Sequence, residues 1–196
     1  WKPDFYPKEV PQARFLEHYA SRLNAVEINY TFRQNPNEKT VTNWVASTPE
    51  GFRFCVKAHQ RITHMQRLKN AASATEFFLK CLEPLRINRR LGVVLFQLPP
   101  NMKATPDTLA EFLEILPRDL QFAFEFRNDS WFSDETYSLL KAHNCCLCLA
   151  ESDRLETPPV VTADFSYYRL RKADYSQEER DEIQQKVGQD LAGGRN

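Results

Sequence analysis

The sequence predicts an α/β fold in which parallel strands are wrapped by helices, a (β/α) barrel of the TIM type. Three observations predict it. Short β-rich runs alternate with helical segments along nearly all of the 196 residues, the pattern of strands joined by helical crossovers. The strands carry one apolar face and one small or charged face, whereas strands covered on both sides of an open sheet read as continuous apolar runs. The charges of the second face gather toward the strand C-termini, which in a barrel form a polar mouth.

Taken in order, a helix over Arg14–Leu23 precedes the first strand, Ala25–Asn29, in which Val26 and Ile28 oppose Glu27 and Asn29. A helix over Lys39–Ser47 leads through Pro49-Glu50-Gly51 to the strand Phe52–Ala58. There Phe52, Phe54 and Val56 oppose Arg53, Cys55 and Lys57. Ser73 and Glu76 have the spacing of a capping box before Phe77, Phe78 and Leu82. The strand Gly92–Leu98 ends at Pro99-Pro100. Thr105-Pro106 then sets a cap before a proline at the first helical position, opening a helix through Leu116. In the strand Gln121–Arg127, Phe122, Phe124 and Phe126 oppose Ala123, Glu125 and Arg127. Ser133 caps a helix over Asp134–His143, strands follow at Cys146–Ala150 and Tyr167–Leu170, and Ser176 with Glu179 opens a polar helix to about Leu191. Arg86–Arg90 reads as a solvated loop.

Composition narrows the function classes. Hydrophobic residues at 42% and charged residues at 27% are ordinary globular values. No apolar run reaches the roughly 18 residues of a membrane helix, and the start of the chain has no signal-peptide pattern. A formal net charge of +0 argues against binding held mainly by nucleic-acid phosphates. Five cysteines form no C-x-x-C pair, and alternation points Cys145 away from Cys146 and Cys148. They read as buried structural thiols of a reducing compartment, the cytoplasm, rather than as a zinc site or a disulfide scaffold. The sequence names no cofactor.

The residues at the strand ends are the candidate site. Glu27, Glu125 and His64 are the candidate catalytic residues, two carboxylates and an imidazole for acid–base work. Asn29, Lys57, His59, Gln97, Arg127, Trp131 and Arg169 are candidate ligand-binding residues. Lys57, Arg127 and Arg169 would attract an anion such as phosphate or carboxylate, so a small anionic ligand is the expected partner. Other readings stand beside these roles. Glu27 with Lys57, and Glu125 with Arg127 or Arg169, can be ion pairs that close the interior. The histidines can be hydrogen-bonded loop residues, Gln97 can satisfy backbone groups, and Trp131 can pack over a loop. His18 and His143 lie on helices and take no functional role.

These same segments carry a resemblance. Residues 1–7 (WKPDFYP), Val26–Phe32 (VEINYTF), Phe54–His64 (FCVKAHQRITH), Leu91–Pro100 (LGVVLFQLPP), Phe124–Trp131 (FEFRNDSW) and Thr162–Arg169 (TADFSYYR) resemble, in order, the YecE-like family, a domain of unknown function numbered 72. The resemblance implies a TIM-type (β/α)8 barrel and no settled reaction. It marks Glu27, Asn29, Lys57, His64, Gln97, Glu125, Arg127 and Arg169. Family members carry a G-T-S-G-W strand before the position of Trp1 and a V-F-F-type strand after the last helix. Neither is in this sequence, so the expectation is a single incomplete barrel domain over 1–196, lacking its first and last strands and leaving two open edges.

Three functions fit the residues. The first is an enzyme with a polar, anion-binding site at the barrel mouth. The second is a metal-dependent phosphoesterase or nuclease using Glu27, His59, His64, Glu125 and Asp153, without diagnostic ligand spacing. The third is a non-catalytic module that binds an anionic ligand.

Overall fold

The computed structural model describes residues 2–152 and 155–195; Trp1 and Asp153, both singled out in the sequence, lie outside the described residues. The elements run α1 (Phe15–Ala20), β1 (Ala25–Ile28), α2 (Glu38–Ala46), β2 (Arg53–Lys57), α3 (Ala72–Cys81), α4 (Glu83–Ile87), β3 (Leu91–Gln97) and α5 (Pro106–Glu114). They continue with β4 (Phe122–Glu125), α6 (Asp134–Ala142), β5 (Cys146–Leu147), β6 (Leu149–Ser152), β7 (Leu155–Glu156), β8 (Tyr168–Arg169) and α7 (Gln177–Ala192). Strands β1 to β5 form one parallel sheet in chain order. A second group has the order β7-β6-β8, with β6 parallel to β8 and antiparallel to β7. The result is an α/β fold with a five-stranded parallel sheet alternating with helices.

Alternation along the strands sorts the apolar residues into two layers. Phe54, Val56, Val94, Phe96, Phe122 and Phe124 face the helices and pack with Phe78, Leu82, Leu85, Phe112 and Leu140. Helix α5 supplies Leu109, Phe112 and Leu113, the three- and four-residue spacing of a buried helical stripe. The ring of Phe112 meets those of Phe96 and Phe124 edge-on. Each such buried side chain contributes about 1.5–3 kcal/mol. Val93, Leu95, Ala123, Cys146, Cys148 and Ala150 point to the other face, against Phe165, Cys55 and Tyr167. Cys145 belongs to the helix-side layer and Cys146 and Cys148 to the other, as alternation requires. Gly92 sits where the register of β2 and β3 shifts. A Cβ there would lie 3.2 Å from Cys55 Sγ, a tight contact that a larger residue could make only if the Cys55 side chain gave way by a few tenths of an ångström.

Several boundaries differ from the sequence expectation. Helix α3 begins at Ala72 with Ala71 as an N-cap that makes no side-chain bond, so Ser73 lies inside the first turn. The preceding Leu68 and Ala71 are buried, and their packing sets the start instead. Thr105 makes no capping bond, although Pro106 opens α5 as expected. The Ser133 cap and the Ser176–Glu179 capping box are present. The expected strand Cys146–Ala150 is broken at Cys148: β5 pairs with β4, and β6 turns to pair with β8. Arg86–Arg90 is not a solvated loop, because Arg86 lies in α4 and Arg90 is buried, its Nη1 reaching the Thr48 carbonyl at 3.5 Å.

Candidate functional site

Parallel pairing brings the ends of β1 to β4 level. Gln97 stands opposite Glu125, and Lys57 opposite Leu95, two residues before Gln97. Glu27 lies opposite Cys55, two residues before Lys57. Glu27, Lys57, Gln97 and Glu125 therefore emerge along one edge of the sheet, on the face away from the helices. Arg169, on β8, reaches all of this edge.

Arg169 is the hub. Its Nε donates to Glu27 Oε2 at 2.9 Å and its Nη2 to Glu27 Oε1 at 2.5 Å. Nη1 donates to Glu125 Oε2 and, at 3.4 Å, to Gln97 Oε1. Glu125 is fully buried, and its other oxygen accepts from Arg127 Nε. Glu27 also accepts from Tyr167 Oη at 2.7 Å and Asn29 Nδ2 at 2.9 Å, so four donors occupy its two oxygens. Burial alone would raise the Glu27 pKa, but the donors and the charge of Arg169 outweigh it and hold the carboxylate below its ordinary value. Glu27 pairs with Arg169 rather than with Lys57, as one sequence reading had it; Glu125 pairs with both arginines considered for it.

Among the described residues Lys57 has no carboxylate partner. Its Nζ donates to Gln97 Oε1 at 2.9 Å and lies 4.4 Å from the centre of the Phe32 ring. Burial is the main cause, with Arg169 and Arg171 adding to it, that brings the Lys57 pKa from 10.5 down to about 8, against the opposing pull of Glu125 and Glu27. His64 meets the same Phe32 ring edge-on at 4.8 Å and pairs through Nδ1 with Thr63 Oγ1. Burial, then Lys57 and Arg67, lower its pKa, so the imidazole is neutral at pH 7.

Not every candidate joins this cluster. His59 is held by the backbone of Arg33 and Arg61 and borders a groove with Asn35, Ile62 and Phe77. Trp131, read in the sequence either as a ligand-stacking residue or as packing over the loop, is fully enclosed. Its ring stacks on Phe126 at 4.7 Å and its Nε1 donates to Met102 O, which fixes the loop after β4. Three contributors had not been singled out in the sequence: Phe32, Tyr167 and Arg171. Tyr167 and Arg171 flank Arg169 at two-residue spacing, the signal that would have found them. Arg171 is exposed, and its pKa is lowered by partial burial first and then by Arg169 and Arg127.

Among the described residues no group of three His, Cys, Asp or Glu side chains is placed to hold a metal ion. Glu27 and Glu125, two of the three carboxylates of the metal reading, instead share the Arg169 guanidinium, and the third, Asp153, lies outside the described residues. No helix among the described residues is long and apolar enough to cross a membrane.

A family model described as "Protein of unknown function DUF72" matches residues 1–195. The UPF0759 protein YunF of Bacillus subtilis (strain 168) is 32% identical over 155 residues, covering 72% of this chain and 55% of YunF, so the chain spans about half the length of that relative. A DUF72 family protein of Thermotoga maritima MSB8 superposes with a TM-score of 0.82 at 27% identity, covering 100% of this chain and 84% of that one. A DUF72 family protein of Enterococcus faecalis V583 gives 0.75 at 24% identity, covering 89% and 80%, and shares the fold.

Proposed function

The chain belongs to the DUF72 family, which has no assigned reaction, and we propose that it is an enzyme whose site at the C-terminal strand ends binds a small anionic molecule. One observation carries the reading: the cluster holds more positive than negative charge. Arg169 is consumed by Glu27 and Glu125, and Arg127 gives only its Nε to Glu125. Among the described residues that leaves the Nη groups of Arg127, the Arg171 guanidinium and the Lys57 ammonium without a carboxylate, two positive charges in excess (Lys57, Arg127, Arg169 and Arg171 against Glu27 and Glu125), with Arg171 close enough for its charge to act on Lys57 and to feel that of Arg127. Uncompensated cations at a partly buried site favour an anion. The carboxylates act as anchors that aim the arginines, since their oxygens are already engaged by donors. The candidates for proton transfer are Lys57 and the neutral His64, whose perturbed pKa values fit such a role.

A barrel is the finer fold reading. Its support is the bond from Arg169 on β8 to Glu27 on β1, strands at opposite ends of the order, together with the apolar layer on the face away from the helices. Five free cysteines, three of them buried, favour a reducing compartment such as the cytoplasm.

Calorimetry with inorganic phosphate and with oxalate at low ionic strength tests the site. Saturable binding, weakened at least about tenfold by Arg127→Gln together with Arg171→Gln and falling with added salt, is the expected result. No binding of either anion at millimolar concentration would end the reading.

A further inference from the structure

From the juxtaposition of Lys57 with Gln97, Phe32 and the Arg169 guanidinium that shares the Gln97 oxygen, we infer that Lys57 is an amine nucleophile that forms an imine with the carbonyl group of an anionic oxo compound. The inference rests on the anion site proposed above and names its substrate class, a carbonyl compound bearing a carboxylate or a phosphate.

A lysine held by a carboxylate stays an ammonium ion and has no lone pair to donate. Among the described residues the carboxylates of this cluster, Glu27 and Glu125, are engaged by arginine instead. The partners of Lys57 are a neutral amide oxygen at 2.9 Å and an aromatic face at 4.4 Å. Both hold an ammonium more weakly than a carboxylate does. The Gln97 oxygen is also shared with Arg169. The amine is partly buried among like charges, the setting that activates a lysine for carbonyl chemistry. At neutral pH a free-amine fraction of about one in ten follows from its lowered pKa, against well under one in a thousand for an ordinary lysine. The step balances without an oxidant. The Nζ lone pair adds to the carbonyl carbon, and the carbonyl oxygen takes up two protons, one from Nζ and one from solvent. It leaves as water, giving a protonated imine that hydrolysis returns to amine and carbonyl. Among the described residues the Arg127 Nη groups and the Arg171 guanidinium have no carboxylate partner, and they are the groups to receive the substrate's anionic end.

The test is reductive trapping on the intact protein at pH 7. Limiting glyoxylate, glycolaldehyde phosphate or propanal is added with sodium cyanoborohydride, and each lysine's modification is read by peptide mass spectrometry. Lys80 and Lys141, both exposed, are internal controls. Lys57 is expected to be modified at least about tenfold faster than either control by glyoxylate or by glycolaldehyde phosphate, and faster than by propanal. The faster of the two anionic probes identifies carboxylate or phosphate as the anchoring group. Gln97→Glu, which sets a carboxylate beside the amine, should slow the labelling of Lys57 about tenfold and leave Lys80 unchanged. Labelling of Lys57 no faster than Lys80 overturns the inference. If phosphate or oxalate still binds in calorimetry, the anion site survives that failure. Equal labelling by propanal and the anionic probes overturns the substrate class.

Discussion

Replacing Lys57 by Met isolates the cost of holding an ammonium ion in this cluster. The folded protein lowers the Lys57 pKa from 10.5 to about 8, through burial first and then the neighbouring guanidiniums. Below pH 8 the side chain is charged both folded and unfolded, and the folded state bears the full penalty. Between pH 8 and 10.5 the unfolded chain binds more protons than the folded one, so this penalty is relieved as pH rises. Each pH unit of that interval corresponds to about 1.4 kcal/mol, an upper bound of about 3.4 kcal/mol. Solvent reaches part of the side chain, and screening reduces this to about 1.5–2 kcal/mol. Met keeps the stem's volume and carries no charge. The lost hydrogen bond to Gln97 adds an offset of about 1 kcal/mol, much the same across this range. The stability of Lys57→Met relative to the parent should therefore be greatest at pH 7 and should fall by about 1.5–2 kcal/mol by pH 10.5. Urea unfolding at pH 7, 8, 9 and 10, followed by tryptophan fluorescence, measures the difference, and other titrating groups cancel between the two proteins. A difference that stays flat or grows with pH would refute the argument.

Two further predictions concern the carboxylates and the thiols. Arg169→Met leaves Glu27 without a cation and Glu125 with Arg127 alone, and should destabilise the fold by about 3–5 kcal/mol in urea at pH 7. Because the folded Glu27 pKa lies below its unfolded value, its contribution is present above about pH 4.5 and is lost as pH falls below that. The variant should lose this acid dependence, and an unchanged acid limb would sink the assignment. Burial pushes the Cys145 and Cys146 thiols up to about 12 and raises the Cys148 thiol well above its ordinary value. A disulfide reagent at pH 8 should therefore spare these three until the protein is unfolded; rapid reaction of Cys146 or Cys148 would show that the inner face opens.

The alternation and the strand faces were legible because both depend on local periodicity. Val26, Phe54, Val56, Phe122 and Phe124 fall on the helix side as a period of two requires, and Ser133 and Ser176 cap where short-range spacing puts them. What failed was decided at long range. Ser73 has good capping chemistry, yet the buried Leu68 and Ala71 start the helix earlier. Trp131 looked like a ligand platform because an indole in a loop after a strand has two uses, and only the neighbouring Phe126 and the Met102 carbonyl select packing. Glu27, Lys57, Gln97 and Glu125 did converge, since parallel register gathers them, whereas His59 and Trp131 did not. The arginine partners of Glu125 were readable, but the pairing of Glu27 was not, because Arg169 lies about 140 residues from it along the chain.

The pairing matters more for function than the convergence. Had Lys57 paired with Glu27, the site would hold a neutral ion pair and a proton-locked amine. Arg169 instead takes both carboxylates: its guanidinium has five donors in a fixed fork, which suits two acceptors from different strands better than an ammonium does. That choice separates two jobs. The glutamates fix the geometry of the arginines in a dry environment, and the lysine is left with a neutral partner and a lone pair within thermal reach. Replacing Arg169 by lysine would keep the charge but supply only three donors for the same carboxylates, so the anchoring and the reactivity of Lys57 would be lost together. The chemistry proposed for the site thus depends on which cation wins the carboxylates, a competition settled by the shape of the cation and by its place on β8.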